Sequence, residues 1–206
     1  MLKLPIKKLF ILAFIILLLQ AQSYATSNID KGANCLYKAS IAMTQQEKDF
    51  YLNKALSIYQ NEYDNNKLNI QAMIGLGRAY TQLGERTNAK SILMQAYNIY
   101  SDKPQIHVAL ADFYYYFQEY NTAIEFYKLA LSSGYLKDFN TNISTALCYE
   151  KLGDLQNAKL YYKIALMLNP NSNTAREKLL NLESNINSSA LAVPTVFQDE
   201  NDDASE

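Results

Sequence analysis

Residues 73–96 read Met-Ile-Gly-Leu-Gly-Arg-Ala-Tyr-Thr-Gln-Leu-Gly-Glu-Arg-Thr-Asn-Ala-Lys-Ser-Ile-Leu-Met-Gln-Ala. Leu76, Gly77 and Tyr80 fall on one face of a first helix, and Ala89, Leu93 and Ala96 on one face of a second. Leu83-Gly84-Glu85 stands between them as a turn, with Gly84 in the left-handed conformation that closes a helix. Two antiparallel helices approach closely only where the side chains at their crossing are small, which Gly77 and Ala89 supply.

The same pattern recurs downstream. Ala89, Ala123 and Ala158 are 34 and 35 residues apart. Ala96, Ala130 and Ala165 keep these offsets, as do Tyr80, Tyr114 and Tyr149, and Leu93, Tyr127 and Tyr162. Gly77, Ala111 and Ala146 form a fifth register, of small residues. A period near 34 belongs to stacked helix–turn–helix units. Leu152-Gly153-Asp154 repeats the turn, and Pro104 and Pro170 are expected to stop the second helices at unit boundaries, since proline lacks an N–H and clashes with the preceding turn.

These columns resemble the tetratricopeptide repeat family. The first unit reads Met73, Leu76-Gly77, Tyr80, Ala89, Leu93, Ala96; the second His107, Leu110-Ala111, Tyr114, Ala123, Tyr127, Ala130; the third Asn142, Thr145-Ala146, Tyr149, Ala158, Tyr162, Ala165, Pro170. The family's Trp position is never Trp here, and Thr145 replaces its Leu in the third unit. The resemblance implies an all-α superhelix, a right-handed solenoid of antiparallel helix pairs, with repeats at 70–103, 104–138 and 139–172. Ala55 and Tyr59 continue two columns 34 residues upstream, so a degenerate repeat is expected over 36–69. Its second helix is clear near Gln46–Tyr59 and its first is not. The amphipathic stretch 173–187, with Leu179, Leu180 and Leu182, suits a capping helix of the kind that such arrays need for solubility.

The two ends differ from the repeats. Lys3, Lys7 and Lys8 precede the apolar run Leu9–Leu19, and Ser23-Tyr24-Ala25 follows. This is the pattern of a secretory signal peptide over 1–25, cleaved after Ala25. The apolar run is short for a membrane span of about 20 residues; contact with a membrane is expected only if the segment stays uncleaved as an anchor. Residues 188–206 carry Pro194, five acids (Asp199, Glu200, Asp202, Asp203 and Glu206) and no apolar period. They read as a disordered acidic tail, with a docking peptide around Val193-Pro194-Thr195-Val196-Phe197 as the alternative.

Without residues 1–25, sixteen basic residues face twenty acidic ones. No basic stripe supports nucleic-acid binding. Cys35 and Cys148 lie at opposite ends of the expected stack and are expected to be free thiols. His107 stands where the repeat packs a large side chain, and Gly75-Leu76-Gly77 lies inside a helix rather than after a strand, the wrong setting for a dinucleotide. Asn142-Ile143-Ser144 matches a glycosylation sequon but falls within a packed helix. No enzyme, cofactor, metal site or small-molecule substrate is expected.

The resemblance implies instead a protein or peptide partner on the concave groove lined by the first helices. By repeat position this groove comprises Gln71, Ile74, Arg78, Thr81 and Gln82; Gln105, Val108, Asp112, Tyr115 and Tyr116; and Asn140, Ile143, Leu147, Glu150 and Lys151. The family's Lys, Asn and Arg clamp for a terminal carboxylate has no counterpart here. Tyr115 and Tyr116 either present aromatic surface to the groove or pack on the adjacent unit. The expected role is a non-enzymatic adaptor in the bacterial periplasm or cell envelope. The alternatives are a self-associating envelope component and a signal-anchored inner-membrane repeat protein.

Overall fold

The computed structural model describes residues 28–135 and 137–191, with isolated positions at 15, 20 and 23. The expected signal peptide, and the acidic tail beyond 191, lie outside the described residues. Two compact units meet at the Lys137–Asp138 boundary and are treated separately.

The first unit holds three helix pairs. Helix α1 (28–40) pairs with α2 (Gln45–Asn65). Then α3 (Ile70–Gln82) pairs with α4 (Arg86–Ile99), and α5 (Pro104–Tyr116) with α6 (Tyr120–Ala130). The second unit holds α7 (Phe139–Lys151), α8 (Leu155–Leu168) and α9 (Asn173–Leu191). Every regular element among the described residues is helical, and the fold class is that of tetratricopeptide helix pairs.

The repeat columns are the core. Ala89, Ala123, Ala158, Ala96, Ala130 and Ala165 all have zero exposure, as does Ala55 upstream. The large residues of the next column, Tyr59, Leu93, Tyr127 and Tyr162, are buried beside them. Alanine at the crossing removes bulk without the backbone entropy that glycine costs. A Cβ at Gly77 would overlap the Leu93 side chain. The missing side chain therefore makes room for Leu93 itself, and not only for a close approach at Ala89.

Helix starts follow local chemistry. The side chains of Thr44, Asn69, Asp138 and Asp154 accept from backbone N–H groups of the first turns of α2, α3, α7 and α8; each satisfies a donor that a helix N-terminus leaves orphaned. Pro104 corrects the expectation placed on it. Helix α4 has already ended at Ile99, and Pro104 opens α5 in the first turn, where its missing N–H costs nothing. Pro170 does follow the end of α8.

The degenerate first pair also differs from its expected bounds. Its first helix runs over 28–40, upstream of 36, and α2 begins two turns before the position that matches α4. Asn28 explains part of this placement. Its side-chain amide donates to the Glu62 carboxylate at 2.9 Å, with both residues buried. Glu62 stands 34 residues before Ala96, so the first pair holds a buried acid where the others have alanine.

The step from 34 to 35 residues lies between Ala130 and Ala146. A wide π-type turn at Leu131–Tyr135, with Gly134 at φ 120°, follows the short α6 and takes up the added length. The last helix, α9, packs on α8 and buries Ala175 and Leu182, with Lys159 and Glu183 paired at 2.8 Å. It continues to Leu191 rather than ending at 187, and Leu180 stays 59% exposed.

Turn residues Gly84 and Gly153 have φ of 77° and 76°, as the sequence requires, but the matching position in the second repeat is Gln118, at φ 62°. A side chain in this region costs about 1–2 kcal/mol, partly offset by the entropy a glycine loses. Gln118→Gly is expected to stabilise the chain by about 0.5–1 kcal/mol, read as a higher urea midpoint at unchanged slope.

Candidate functional site

A cleft of about 330 Å³ opens between α1 and α3. Its α1 wall is Ile29, Ala33, Leu36 and Tyr37, and its α3 wall is Gln71, Ile74, Gly75, Arg78 and Gln82. Tyr59 of α2 forms the floor. Four residues expected from repeat position (Gln71, Ile74, Arg78 and Gln82) are therefore brought together. The α1 contribution was not anticipated, because the first helix of the degenerate pair lacks the repeat columns.

The floor depends on glycine. A Cβ at either Gly32 or Gly75 would overlap the Tyr59 ring, so the ring lies flush between α1 and α3. Burial pushes the Tyr59 hydroxyl up to about 12, against the pull of Arg78. The phenol is thus a neutral donor at any physiological pH, and its hydroxyl has no hydrogen-bond partner among the described residues.

Arg78 is the one charged side chain among the described residues of the cleft lining. It keeps 43% of its side-chain surface exposed and lies 3.6 Å from the Asp112 carboxylate of α5. Asp112 also accepts from the Tyr127 hydroxyl at 2.7 Å. The carboxylate sits in a densely walled recess but stays 40% open to solvent. Desolvation there pushes its carboxyl above the ordinary carboxylate range, against Arg78 and the Tyr127 hydrogen bond.

The other expected groove residues separate into different roles. Thr81 is buried, and its hydroxyl donates to the Gly77 carbonyl at 2.7 Å, so it does not line an open surface. Val108 is half-buried, and Gln105 holds its Oε1 buried without a partner among the described residues. Tyr115 is half-buried with its ring edge-on to Tyr120 at 5.6 Å. Tyr116 is 44% exposed and lies 3.4 Å from the Gln82 carbonyl at the end of α3. The two tyrosines are placed differently: Tyr115 packs on Tyr120 of its own helix pair, and Tyr116 reaches toward the end of α3.

In the second unit, Asn140 and Lys151 are exposed and Ile143 and Leu147 half-buried. Glu150 accepts from the Tyr162 hydroxyl at 2.6 Å and from Lys178 of α9 at 3.2 Å. Asp112 and Glu150 are thus both held by the tyrosine of the same repeat column, and part of their role is to lock each pair.

His107 is 3% exposed, with Nε2 at 2.8 Å from the Ser101 carbonyl. Asn142 is 1% exposed and donates to the Asp138 carbonyl, which keeps the sequon amide from any glycosyl acceptor role. Cys35 and Cys148 are buried, and neither is in a disulfide. Among the described residues no three His, Cys, Asp or Glu side chains converge on a metal position, and no helix is long and apolar enough to cross a membrane.

The raised Asp112 carboxyl fixes the sign of a pH effect. The folded chain holds that proton more tightly than the unfolded chain, so the stability it contributes is present at low pH and lost as pH rises through the folded value. Relative to Asp112→Asn, the wild type is expected to lose stability as pH rises just above the ordinary carboxylate range, measured by urea unfolding across a pH series.

Comparison with known proteins agrees with this architecture. The family model described as Tetratricopeptide repeat matches residues 70–103 and 143–172. No curated protein sequence matches the chain. Among solved structures, a MamA mutant superposes with a TM-score of 0.56 at 20% identity, over 84% of this chain and 94% of its own. The first TPR of Spaghetti (RPAP3), bound to the HSP90 peptide SRMEEVD, gives 0.53 at 18%, over 57% and 93%. The Cut9-Hcn1 hetero-tetramer of APC/C gives 0.58 at 17%, over 68% and 29%. At these identities the likeness is one of fold. Residues 70–103 and 143–172 thus carry tetratricopeptide repeats, and the helix pairs share the fold of these solved structures.

Proposed function

We propose that this chain is a non-enzymatic adaptor that holds an extended segment of another protein in the groove formed by α1, α3 and α5, and that it works in the bacterial periplasm or cell envelope. Tetratricopeptide repeats are protein-interaction scaffolds, and one solved neighbour holds a peptide. The observation that carries the reading is the α1–α3 cleft. It combines apolar side chains (Ile29, Ala33, Leu36 and Ile74) with two glutamines, a tyrosine floor and one cation, Arg78, among its described lining residues.

The groove test is capture of partners from envelope extract by the chain beginning at Thr26, compared with a Tyr37→Ser, Arg78→Gln double variant. Tyr37 is 63% exposed and Arg78 is open to solvent, so helical circular dichroism should not change. Wild-type capture of a specific partner, reduced about tenfold in the variant (a loss of ~1.4 kcal/mol), is the expected result. Equal capture by both proteins, or no specific partner at all, would count against the groove.

The compartment rests on the Lys3, Lys7, Lys8 and Leu9–Leu19 pattern ending at Ala25. Osmotic-shock release of a C-terminally tagged chain whose mass lacks residues 1–25 is the expected result. Retention in the membrane at full mass would favour the signal-anchored alternative.

A further inference from the structure

Sulfur is distributed unevenly between core and surface. Met43 is 97% exposed in the turn between α1 and α2, and Met167 is 81% exposed in the last turn of α8. Met73 has no exposed surface, and Cys35 and Cys148 are buried. Each of the two compact units thus presents one nearly bare thioether to solvent and keeps its thiol inside.

Local sequence explains both placements. Thr44 caps α2, so Met43 holds the position before the cap, whose side chain in a hydrophobic staple packs on the fourth helical residue. That residue is Lys48, and Met43 stays in water. On α8 the column Ala158, Tyr162 and Ala165 is buried, and Met167 falls with the exposed Leu160 on the opposite face. Neither thioether supplies packing that an added oxygen would disrupt.

This placement reverses the usual order of sulfur oxidation. Thiols ordinarily react ahead of thioethers, but susceptibility follows access as well as intrinsic chemistry. We propose that Met43 and Met167 are reversible modification sites for two-electron oxidants of the peroxide class, and that they oxidise ahead of every other sulfur among the described residues. The thioether sulfur attacks one peroxide oxygen, and the O–O bond breaks as the S–O bond forms. Sulfur gives up two electrons, which the peroxide takes. The proton on the transferred oxygen passes to the leaving hydroxide, which departs as water. The product is a polar sulfoxide, which methionine sulfoxide reductases return to the thioether. At Met73 the same oxygen would enter the packed core; at Met43 and Met167 it meets solvent. The chain therefore takes up one equivalent of oxidant at each site with its helix pairs intact.

The test is dilute hydrogen peroxide on the full folded chain, followed over time by digestion and peptide mass spectrometry. The peptides of Met43 and Met167 should gain one oxygen each at the rate of free methionine in the same mixture. Met73, Cys35 and Cys148 should react at least about tenfold more slowly. In urea the Met73 rate should rise to that of Met43. After mild oxidation the folded chain should keep its urea midpoint, and methionine sulfoxide reductases should remove both oxygens. Met73 or either cysteine reacting as fast as Met43 in the folded chain would overturn the proposal. So would a Met73 that stays slow in urea, a midpoint that falls when only Met43 and Met167 are oxidised, or sulfoxides that the reductases leave in place.

Discussion

Close contact between paired helices is the constraint on which the rest of the structure depends. Ala89, Ala123 and Ala158 have no exposed surface, and the same holds for Ala96, Ala130 and Ala165. With backbones that near, each pair leaves a fixed volume beside the crossing, which one large residue per pair fills: Tyr59, Leu93, Tyr127 or Tyr162. Where that residue is tyrosine its hydroxyl must be satisfied or remain a free donor. Tyr127 and Tyr162 reach Asp112 and Glu150 at 2.7 and 2.6 Å. Tyr59 has no such acid and becomes the floor of the cleft. One column of the repeat therefore both fills the crossings and floors the cleft.

Because Tyr127 and Tyr162 also bond a side chain on the first helix of their pairs, the core column reaches the outer faces of those helices. Asp112 shows the consequence. It holds Tyr127 from below and Arg78 from the side, while desolvation pushes its proton affinity up. Arg78 in turn spans from α5 to the cleft. A change in the second repeat can thus reach the cleft through two polar contacts without any movement of helices.

Most of the fold was legible because the small-residue columns are periodic and their physics is local. The existence and order of the helix pairs from α3 to α8 follow from the columns, Gly84 and Gly153. What the columns could not show lies where they lapse. Helix α1 carries none of them, so its position over 28–40, and its half of the cleft, came only from tertiary packing around Tyr59. Gly32 and Gly75 were signals in principle: two glycines inside helices ask for a reason, and here the reason is one aromatic ring. At Tyr115 and Tyr116, helical spacing alone could separate their faces but could not say that Tyr120 would cover one of them. Pro104 was misread because proline ends one helix as readily as it begins the next, and only the position of Ile99 distinguishes the two.

The buried Asn28–Glu62 pair bears on a hazard peculiar to chains built from look-alike parts. Neighbouring repeats share their columns closely enough that a folding chain can match a helix to the wrong partner one period away. Glu62 sits where every other pair has alanine, and its carboxylate is satisfied by an amide that only α1 supplies. Slipped by 34 residues, α2 would bring an unsatisfied acid into an apolar crossing, a penalty of several kcal/mol. The buried Asn28–Glu62 bond is therefore a contact that a slipped alignment of α2 would lose.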